Sequence, residues 1–247
     1  MSVSFDGVLR GESYVGDSLT SMIDHALLHP TMTDDEIRQG CELAKKLAVA
    51  SVCVKPYAIS IARNVLDGSR VRIGTVIGFP HGSNATHVKM LETKIACEEG
   101  AHEVDMVVNI GKALSGAWDY VEADIRSVVD TAHSYAAICK VIFETDYITR
   151  REDKIRLCEI CSRVGADFVK TSTGFGYTKQ SSGDYNYTGA TLADVQLMKE
   201  HVFGNVQIKA SGGIRSADDA RRMVANGATR LGTSASEAIA QGETHDS

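Results

Sequence analysis

The chain has 247 residues, of which 43% are hydrophobic and 23% are charged, and its formal net charge is −6 at pH 7. This composition argues against a disordered or collagen-like chain, and the negative charge gives no reason to expect a nucleic-acid partner. Residues 1–17, which we treat as an N-terminal extension, contain no apolar core of signal-peptide length. No run of about 18 apolar residues follows, so we expect neither a membrane-spanning helix nor a membrane partner.

Six cysteines are scattered through apparent core segments, a pattern typical of reduced thiols in a cytoplasmic protein. Two of them, Cys158 and Cys161, form a C-x-x-C pair on one face of a predicted helix. Because neither a second such pair nor a well-spaced histidine pair accompanies them, we interpret them as helix-packing residues rather than metal or redox groups. The sequence therefore predicts a cytoplasmic location.

An apolar strand, a turn and an amphipathic helix recur along the chain. The predicted strands are residues 21–27, 50–56, 71–79, 102–110, 136–145, 166–173, 205–211 and 228–234. The predicted helices are residues 34–48, 57–67, 84–99, 118–134, 151–164, 191–202 and 216–226, and a last helix begins near Ser236. Thr33 with Glu36 predicts a capping box before the first helix, and Asn84 is a candidate N-cap for the third. Three helices are followed by the glycine expected at a helix C-terminus: Gly100, Gly165 and Gly227.

This alternation indicates the fold class. Strands that are mostly apolar on both faces and alternate with helices indicate an α/β protein with a parallel sheet. Eight repeats in about 230 residues suit a closed barrel, so the sequence predicts a (β/α)8 TIM barrel that forms a single domain over residues 1–247. The alternative is an open doubly wound sheet, which is disfavoured because no G-x-G-x-x-G follows the first strand.

Two lysines interrupt apolar strands, Lys170 in "ADFVKTSTGFG" and Lys209 in "NVQIKASGGIR". They occupy comparable late positions on the sixth and seventh strands, and functional residues of a barrel gather at the carboxyl ends of its strands. Alternation along "HEVDMVVN" turns Asp105 inward, with Val107 and Asn109, and Asp24 is placed at the end of the first strand. We therefore expect these charges to meet inside the barrel.

Their proximity has an electrostatic consequence. Neighbouring strands lie roughly 4.8 Å apart, so the two ammonium groups can come within about 5 Å and repel by roughly 3 kcal/mol at an effective dielectric of about 20. That repulsion corresponds to about two pKa units, which would bring one lysine to a pKa of about 8 and make its free amine a nucleophile toward aldehydes and ketones. Asp105 is expected to pair with one lysine, leave the other to react and move protons through water. The alternative is a buried ion pair with a purely structural role.

Glycine-containing turns at the same end of the barrel suggest a phosphate site. Ser211, Gly212 and Gly213 lead from the seventh strand into a helix, and Gly232, Thr233 and Ser234 repeat the arrangement after the eighth. Glycines let the backbone approach an anion, helix N-termini present free N–H groups, and phosphate sites of this barrel recur in these loops. Gly174 after the sixth strand can supply a further N–H. The alternative for each loop is an ordinary tight turn.

Several of these segments resemble those of the deoxyribose-phosphate aldolase family, class I aldolases on a (β/α)8 barrel. The segments are "DFVKTSTGFG", "IKASGGIR", "EVDMVVNIG", "GTVIGFPHGSN" and "IDHALL", and the similarity extends from about residue 18 to residue 238. The resemblance implies reversible cleavage of 2-deoxy-D-ribose 5-phosphate to D-glyceraldehyde 3-phosphate and acetaldehyde, as a step in deoxyribose phosphate catabolism. It implies Lys170 as the Schiff-base lysine, Lys209 as the lysine that lowers its pKa, and Asp105 as the acid/base partner acting through water.

The resemblance also implies the substrate contacts and partners. Asp24 would contact the sugar hydroxyl. The remaining substrate contacts would be Cys53 and Thr173, together with four residues that hold the phosphate: Gly174, Gly212, Gly213 and Ser234. No metal or organic cofactor is expected, because the imine is the electron sink. A zinc-dependent aldolase is disfavoured, since the eight histidines show no metal-binding cluster. A homodimer is expected by the same resemblance.

Three features depart from the family pattern. Ala26 replaces the threonine that usually follows Asp-His, Lys55 stands where an asparagine or an aromatic residue is more usual, and a polar, tyrosine-rich insertion occupies roughly residues 177–188. The insertion is interpreted as a lid, an interface element or a surface loop. Two functional alternatives also stand: another Schiff-base barrel, such as a transaldolase-like enzyme, and a catalytically silent sugar-phosphate-binding protein.

Overall fold

A computed structural model describes residues 18–244. The predicted N-terminal extension, residues 1–17, lies outside the described residues. Eight parallel strands close into a barrel in the order β1-β10-β9-β6-β5-β4-β3-β2, so the predicted (β/α)8 barrel is confirmed. The barrel strands are β1 Ile23–Leu27, β2 Ser51–Val54, β3 Arg72–Ile77, β4 Glu103–Val107, β5 Ile138–Ile142, β6 Phe168–Lys170, β9 Gln207–Ser211 and β10 Arg230–Thr233.

Helices follow the strands and form the outer layer. They are α1 Asp34–Leu47, α2 Ile59–Val65, α3 Thr86–Glu99, α4 Ile110–Leu114, α5 Trp118–Ser134, α6 Arg151–Val164, α7 Leu192–His201, α8 Ala217–Ala225 and α9 Ser236–Thr244. Two short 3₁₀ turns, Leu19–Met22 and Pro56–Ala58, precede β1 and α2. The sequence did not predict α4. Within residues 18–244 no helix is long and apolar enough to cross a membrane.

Local sequence signals explain where several helices begin and end. The Thr33 side chain accepts from the N–H of Glu36 while the Glu36 carboxylate accepts from that of Thr33, which confirms the predicted capping box. Gly165 ends α6 at a φ of +75°, where a side chain would be strained. The prediction for Asn84 is wrong, because α3 begins at Thr86 with Ala85 as a cap that makes no side-chain hydrogen bond.

The apolar core fills the space between the barrel and the helices. On β4, Val104 and Met106 point outward into this core, whereas Asp105 points into the barrel, as the alternation predicted. Cys158 and Cys161 are free thiols buried in the same core, which confirms their interpretation as packing residues. The barrel interior is therefore the polar compartment of the protein, and charges on its strands face one another.

The predicted insertion forms a two-stranded antiparallel hairpin between β6 and α7. Its strands are β7 Thr178–Lys179 and β8 Tyr185–Asn186, which pair with each other and with no barrel strand in the described part of the chain. This hairpin adds to the carboxyl-terminal face of the barrel, where β6 ends.

Candidate active site

Lys170 and Lys209 lie side by side in the barrel interior. They are in register on the neighbouring strands β6 and β9, and each ammonium group lies 2.7 Å from the same oxygen, Asp105 Oδ2. Both lysines are almost fully buried, with exposures of 3% and 1%. The predicted meeting of the two lysines and Asp105 is confirmed.

The prediction that Asp105 pairs with only one lysine is wrong, because three lysines contact its carboxylate. Its Oδ2 bridges Lys170 and Lys209, and its Oδ1 accepts from a third lysine, Lys140 of β5, at 2.8 Å. The strand register explains the third partner, because Asp105 and Lys140 are direct neighbours across β4 and β5. Asp105 is therefore a shared counter-ion, and the feature that distinguishes Lys170 must be found in the other carboxylates.

Sequence reasoning missed part of this site. Lys140 lies 2.6 Å from Glu103 and 3.4 Å from Asp24, and Arg230 lies 2.7 Å from Asp24 and 3.1 Å from Glu103. Lys140 carried the same signal as Lys170, since it interrupts the apolar run "AAICKVIF". We refer to seven residues as the interior charge network: Asp24, Glu103, Asp105, Lys140, Lys170, Lys209 and Arg230. This network contains one more cationic group than carboxylates, so the loss of one proton makes it neutral.

The proton is most easily lost from Lys170. Burial is the largest cause that lowers the pKa of Lys170, and the charge of Lys209 adds to it, while Asp105 opposes both. The predicted direction is thus confirmed, but repulsion between the lysines is the smaller of the two causes. Burial also disfavours a charged Lys209, yet its ion pairs with Asp105 and Asp24 outweigh burial and raise its pKa. Of the two lysines that lie side by side, Lys209 is therefore the one that stays charged.

The prediction that Asp24 lies at the end of the first strand is wrong. Asp24 is the second residue of β1, and its carboxylate accepts from Lys209, Arg230 and the Ser51 hydroxyl. Although burial opposes ionisation, Arg230 leads the neighbouring cations that hold the pKa of Asp24 well below its usual range. Asp24 is therefore an ionised member of the network as well as part of the cavity floor.

A cavity of about 600 Å³ opens above this network at the carboxyl ends of the strands. Nine of the ten predicted site residues line it: Asp24, Cys53, Lys170, Thr173, Gly174, Lys209, Gly212, Gly213 and Ser234. The exception is Asp105, which is fully buried beneath the two lysines. Lys55 does not line the cavity and instead donates to the carbonyls of His29 and Met32.

The predicted phosphate loops converge on one side of the cavity. Gly174, Gly212 and Gly213 have φ values of +81°, +91° and +78°, a backbone that side chains rarely adopt. The exposed Ser234 lies on the same wall, two residues before α9 begins. Arg215, which sequence reasoning missed, adds a cationic side chain to that wall. This side of the cavity therefore offers backbone N–H groups, a hydroxyl and a guanidinium to an anion.

Two further residues shape the wall near Lys170. Glu144 is buried with a φ of +59°, and its Oε2 accepts from the backbone N–H of Thr173 at 3.3 Å and from the Thr173 hydroxyl. Burial is the main cause that raises the pKa of Glu144. The thiol of Cys53 is also buried, which raises its pKa to about 11 and keeps it protonated at neutral pH. Glu144 had no sequence signal, because nothing in "FETD" marks a left-handed glutamate.

The fold and the buried amine at the floor of a cavity define the protein as a (β/α)8-barrel enzyme with a lysine-centred site. The family model described as DeoC/LacD family aldolase matches residues 19–242. The chain belongs to this family of aldolases.

Relatives of known name agree with that assignment. A Clostridium perfringens (strain SM101 / Type A) protein named deoxyribose-phosphate aldolase is 47% identical over 229 residues, which are 93% of this chain and 97% of the relative. A Geobacillus sp. (strain WCH70) protein of the same name is 46% identical over 231 residues, covering 94% and 98%. The tetrameric structure of deoxyribose phosphate aldolase from Aeropyrum pernix superposes with a TM-score of 0.79 at 31% identity, covering 90% of this chain and 89% of the other.

Proposed function

We propose that the protein cleaves 2-deoxy-D-ribose 5-phosphate reversibly to D-glyceraldehyde 3-phosphate and acetaldehyde through a Schiff base on Lys170. The observation that carries this proposal is the state of Lys170, a buried amine at the cavity floor whose pKa is lowered. The names of relatives that are 46–47% identical over nearly the whole chain support the substrate.

The reaction follows from an amine in that position. The neutral Lys170 Nζ adds to the C1 aldehyde of the open-chain sugar and forms a carbinolamine. Uptake of one proton from solvent and loss of the carbinolamine hydroxyl as water leave a protonated imine, and that proton is returned when the imine is finally hydrolysed. The imine withdraws electrons from the C2–C3 bond, which breaks as the C3 hydroxyl loses its proton. Glyceraldehyde 3-phosphate leaves, and an enamine of two carbons remains on the lysine. Protonation at C2 restores the imine, and hydrolysis releases acetaldehyde and the free amine.

The charged neighbours have distinct proposed roles. Lys209, held in its charged form by Asp24 and Asp105, faces Lys170 and favours the neutral amine there. Asp105 lies beneath the lysines and, with a water molecule of the reacting complex, moves protons to and from the intermediates. Asp24 lines the cavity floor and is proposed to accept a hydrogen bond from a sugar hydroxyl.

The opposite end of the substrate carries the phosphate. We assign it to Gly174, Gly212, Gly213 and Ser234, whose side of the cavity also holds Arg215. At the φ values of these three glycines a side chain would be strained, so their backbone carries none, which supports close approach by an anion. Cys53 and Thr173 are proposed to contact the carbon chain between the two ends.

Trapping of the imine tests this proposal. The protein is incubated with deoxyribose 5-phosphate or acetaldehyde, reduced with borohydride and digested, and the modified peptide is identified by mass spectrometry. We expect one adduct on Lys170 that requires substrate, and none in Lys170→Ala. An adduct on Lys209 or Lys140 instead would reassign the nucleophile, and the absence of any adduct would favour a silent binding protein. Turnover of fructose 6-phosphate in place of deoxyribose 5-phosphate would favour the transaldolase-like alternative.

The proposal extends to the oligomeric state and the location of the protein. We propose a homodimer, supported by large apolar side chains of α3 that are exposed in the single chain, namely Val88, Met90, Leu91 and Ile95. Light scattering would measure the mass, and a monomer at micromolar concentration would contradict the proposal. We also propose a cytoplasmic location, supported by six free cysteines, of which five are buried.

A further inference from the structure

The inserted hairpin forms part of the cavity wall. Its first strand is preceded by Tyr177 and its second is followed by Tyr187, and both tyrosines line the cavity. Their rings pack edge to face, with centroids 5.5 Å apart and an interplanar angle of 85°. The base of the hairpin therefore presents an aromatic pair to the cavity, while the residues of its tip, 180–184, are exposed.

Both ends of the hairpin are tied to the loop that follows β5. The Tyr147 hydroxyl donates to the carbonyl of Tyr177 at 3.2 Å. The carboxylate of the preceding residue, Asp146, accepts from the backbone N–H of Thr188 at 2.6 Å and of Gly189 at 3.0 Å. Two consecutive residues thus fix the entry and the exit of the hairpin, and the aromatic pair has a defined place on the rim.

The exit of the hairpin also packs on a proposed phosphate loop. The N–H of Ala190 donates to the carbonyl of Gly212 at 3.0 Å. A Cβ on Gly189 would lie 2.5 Å from that carbonyl oxygen, and a Cβ on Gly213 would lie 3.3 Å from the carbonyl of Thr188, so the backbones touch where only glycine fits. Tyr187 immediately precedes this contact and lines the same cavity.

We propose that Tyr187, held in place by Tyr177, is a specificity-determining residue that covers the phosphate end of the substrate and favours phosphorylated over unphosphorylated sugars. This inference rests on the proposed function and deepens it. The phenol hydroxyl is a donor for a phosphate oxygen. The ring excludes water from the Gly212–Gly213 loop, which strengthens the charge-assisted hydrogen bonds made there.

The test compares two tyrosines of the same hairpin. Tyr187→Ala removes the cavity-facing ring, and Tyr185→Ala removes a ring that is 67% exposed and does not line the cavity. For cleavage of deoxyribose 5-phosphate we expect Tyr187→Ala to lower kcat/KM by about 10-fold or more, mainly through KM. For unphosphorylated deoxyribose we expect a change of less than about 2-fold, and Tyr185→Ala should match the wild type on both substrates. Tyr187→Phe separates the hydroxyl from the ring.

The possible results distinguish a failure of this inference from a failure of the proposed function. Equal KM values for Tyr187→Ala and Tyr185→Ala would overturn the inference while leaving the proposed function intact. Equal losses on the two substrates would also overturn it, because the ring would then support the barrel rather than the phosphate. A wild-type protein that turns over neither sugar would overturn the proposed function and this inference with it. If Tyr187→Ala does not fold, as judged by its thermal transition, Tyr187→Leu also removes the ring and gives the same comparison.

Discussion

The lower and upper levels of the barrel interior hold the same residue type in opposite states. At the lower level Lys140 forms ion pairs with Asp24, Glu103 and Asp105, and these outweigh burial and raise its pKa well above its usual value. At the upper level, among the described residues, Lys170 forms an ion pair with Asp105 alone, and burial lowers its pKa. Burial is nearly complete in both cases, so the number of carboxylates within reach decides which lysine keeps its proton.

Two further groups extend this comparison. Lys209 forms ion pairs with two carboxylates, Asp24 and Asp105, and its pKa is raised. His25 forms an ion pair with no carboxylate of residues 18–244, and burial lowers its pKa to about 4. The order from three carboxylates to none is also an order from charged to neutral, and it supports Lys170 as the proposed reactive amine.

Strand register produces the difference between the two levels. Ile142 is the neighbour of Lys170 across β5 and β6, so Lys140 lies two positions nearer the amino end of its strand. Since successive residues advance about 3.3 Å along a strand, Lys140 is one inward layer deeper than Lys170. Glu103 and Asp24, each near the start of its strand, supply carboxylates that form ion pairs with Lys140 in that deeper layer.

The largest expected effect comes from removing the upper lysine. Lys170→Ala deletes the nucleophile, and we expect turnover of deoxyribose 5-phosphate to fall at least about a thousandfold. Because the network loses its excess cation, unfolding free energy should change little, in contrast to the usual cost of breaking a buried ion pair. A coupled assay for glyceraldehyde 3-phosphate and a denaturant titration measure the two quantities. Retained activity above a few per cent would show that Lys170 is not the nucleophile.

Removal of the shared counter-ion should cost the most stability. Asp105→Asn leaves Lys140, Lys170 and Lys209 without their common carboxylate, and we expect a loss of about 3–5 kcal/mol in unfolding free energy. Asp35→Asn provides the matched control, because its ion pair with Arg38 is on the surface and should contribute little. If both variants unfold at the same denaturant concentration, the interior network does not depend on Asp105.

His25 should make stability depend on pH in a mildly acidic range. Its folded pKa of about 4 lies below the ordinary value of 6.5, so between these values the unfolded chain binds a proton that the folded chain does not. Stability contributed by neutral His25 is therefore lost as pH falls from 6.5 toward 4, reaching about 3 kcal/mol at pH 4. His25→Gln should flatten this slope, whereas the exposed His87→Gln should leave it unchanged. Denaturant titrations between pH 4 and pH 7 measure it, and parallel slopes for the wild type and His25→Gln would contradict the assignment.

The sequence was sufficient for the fold and for the centre of the site, because both rest on alternation. Lys170, Lys209 and Asp105 each interrupt an apolar strand, and the period of two along a strand is enough to turn them inward. Lys140 interrupts a strand in the same way but precedes no glycine turn, so the sequence pattern does not mark it as a site residue. Its place beside Asp105 depends on the stagger between β4 and β5, which no single strand encodes.

Other parts of the site were beyond sequence reasoning for a different reason. The left-handed φ of Glu144 is imposed by surrounding structure, since glutamate has no preference for that region. The order of causes at Lys170 could not be found either, because the depth of burial is a property of the assembled barrel. A calculation limited to two charges leaves out desolvation by burial, which lowers the pKa of Lys170 more than the charge of Lys209 does.

The smallest expected effect is a change in the pH dependence of the reaction. It tests whether a neighbouring charge helps to set the pKa of Lys170. Lys209→Leu removes the charge that helps to lower the pKa of Lys170 and leaves Asp105 Oδ2 to Lys170 alone, so both changes raise that pKa. We expect the rising limb of kcat/KM to move to higher pH by about one unit, which corresponds to about a tenfold loss at neutral pH. Lys140→Met is the matched control, because it removes a buried lysine that contacts the other oxygen of Asp105 and should move the limb less. An unmoved limb in Lys209→Leu would mean that burial sets the pKa of Lys170 without help from Lys209. Equal shifts in the two variants would mean that Lys209 has no greater influence on that pKa than Lys140 has.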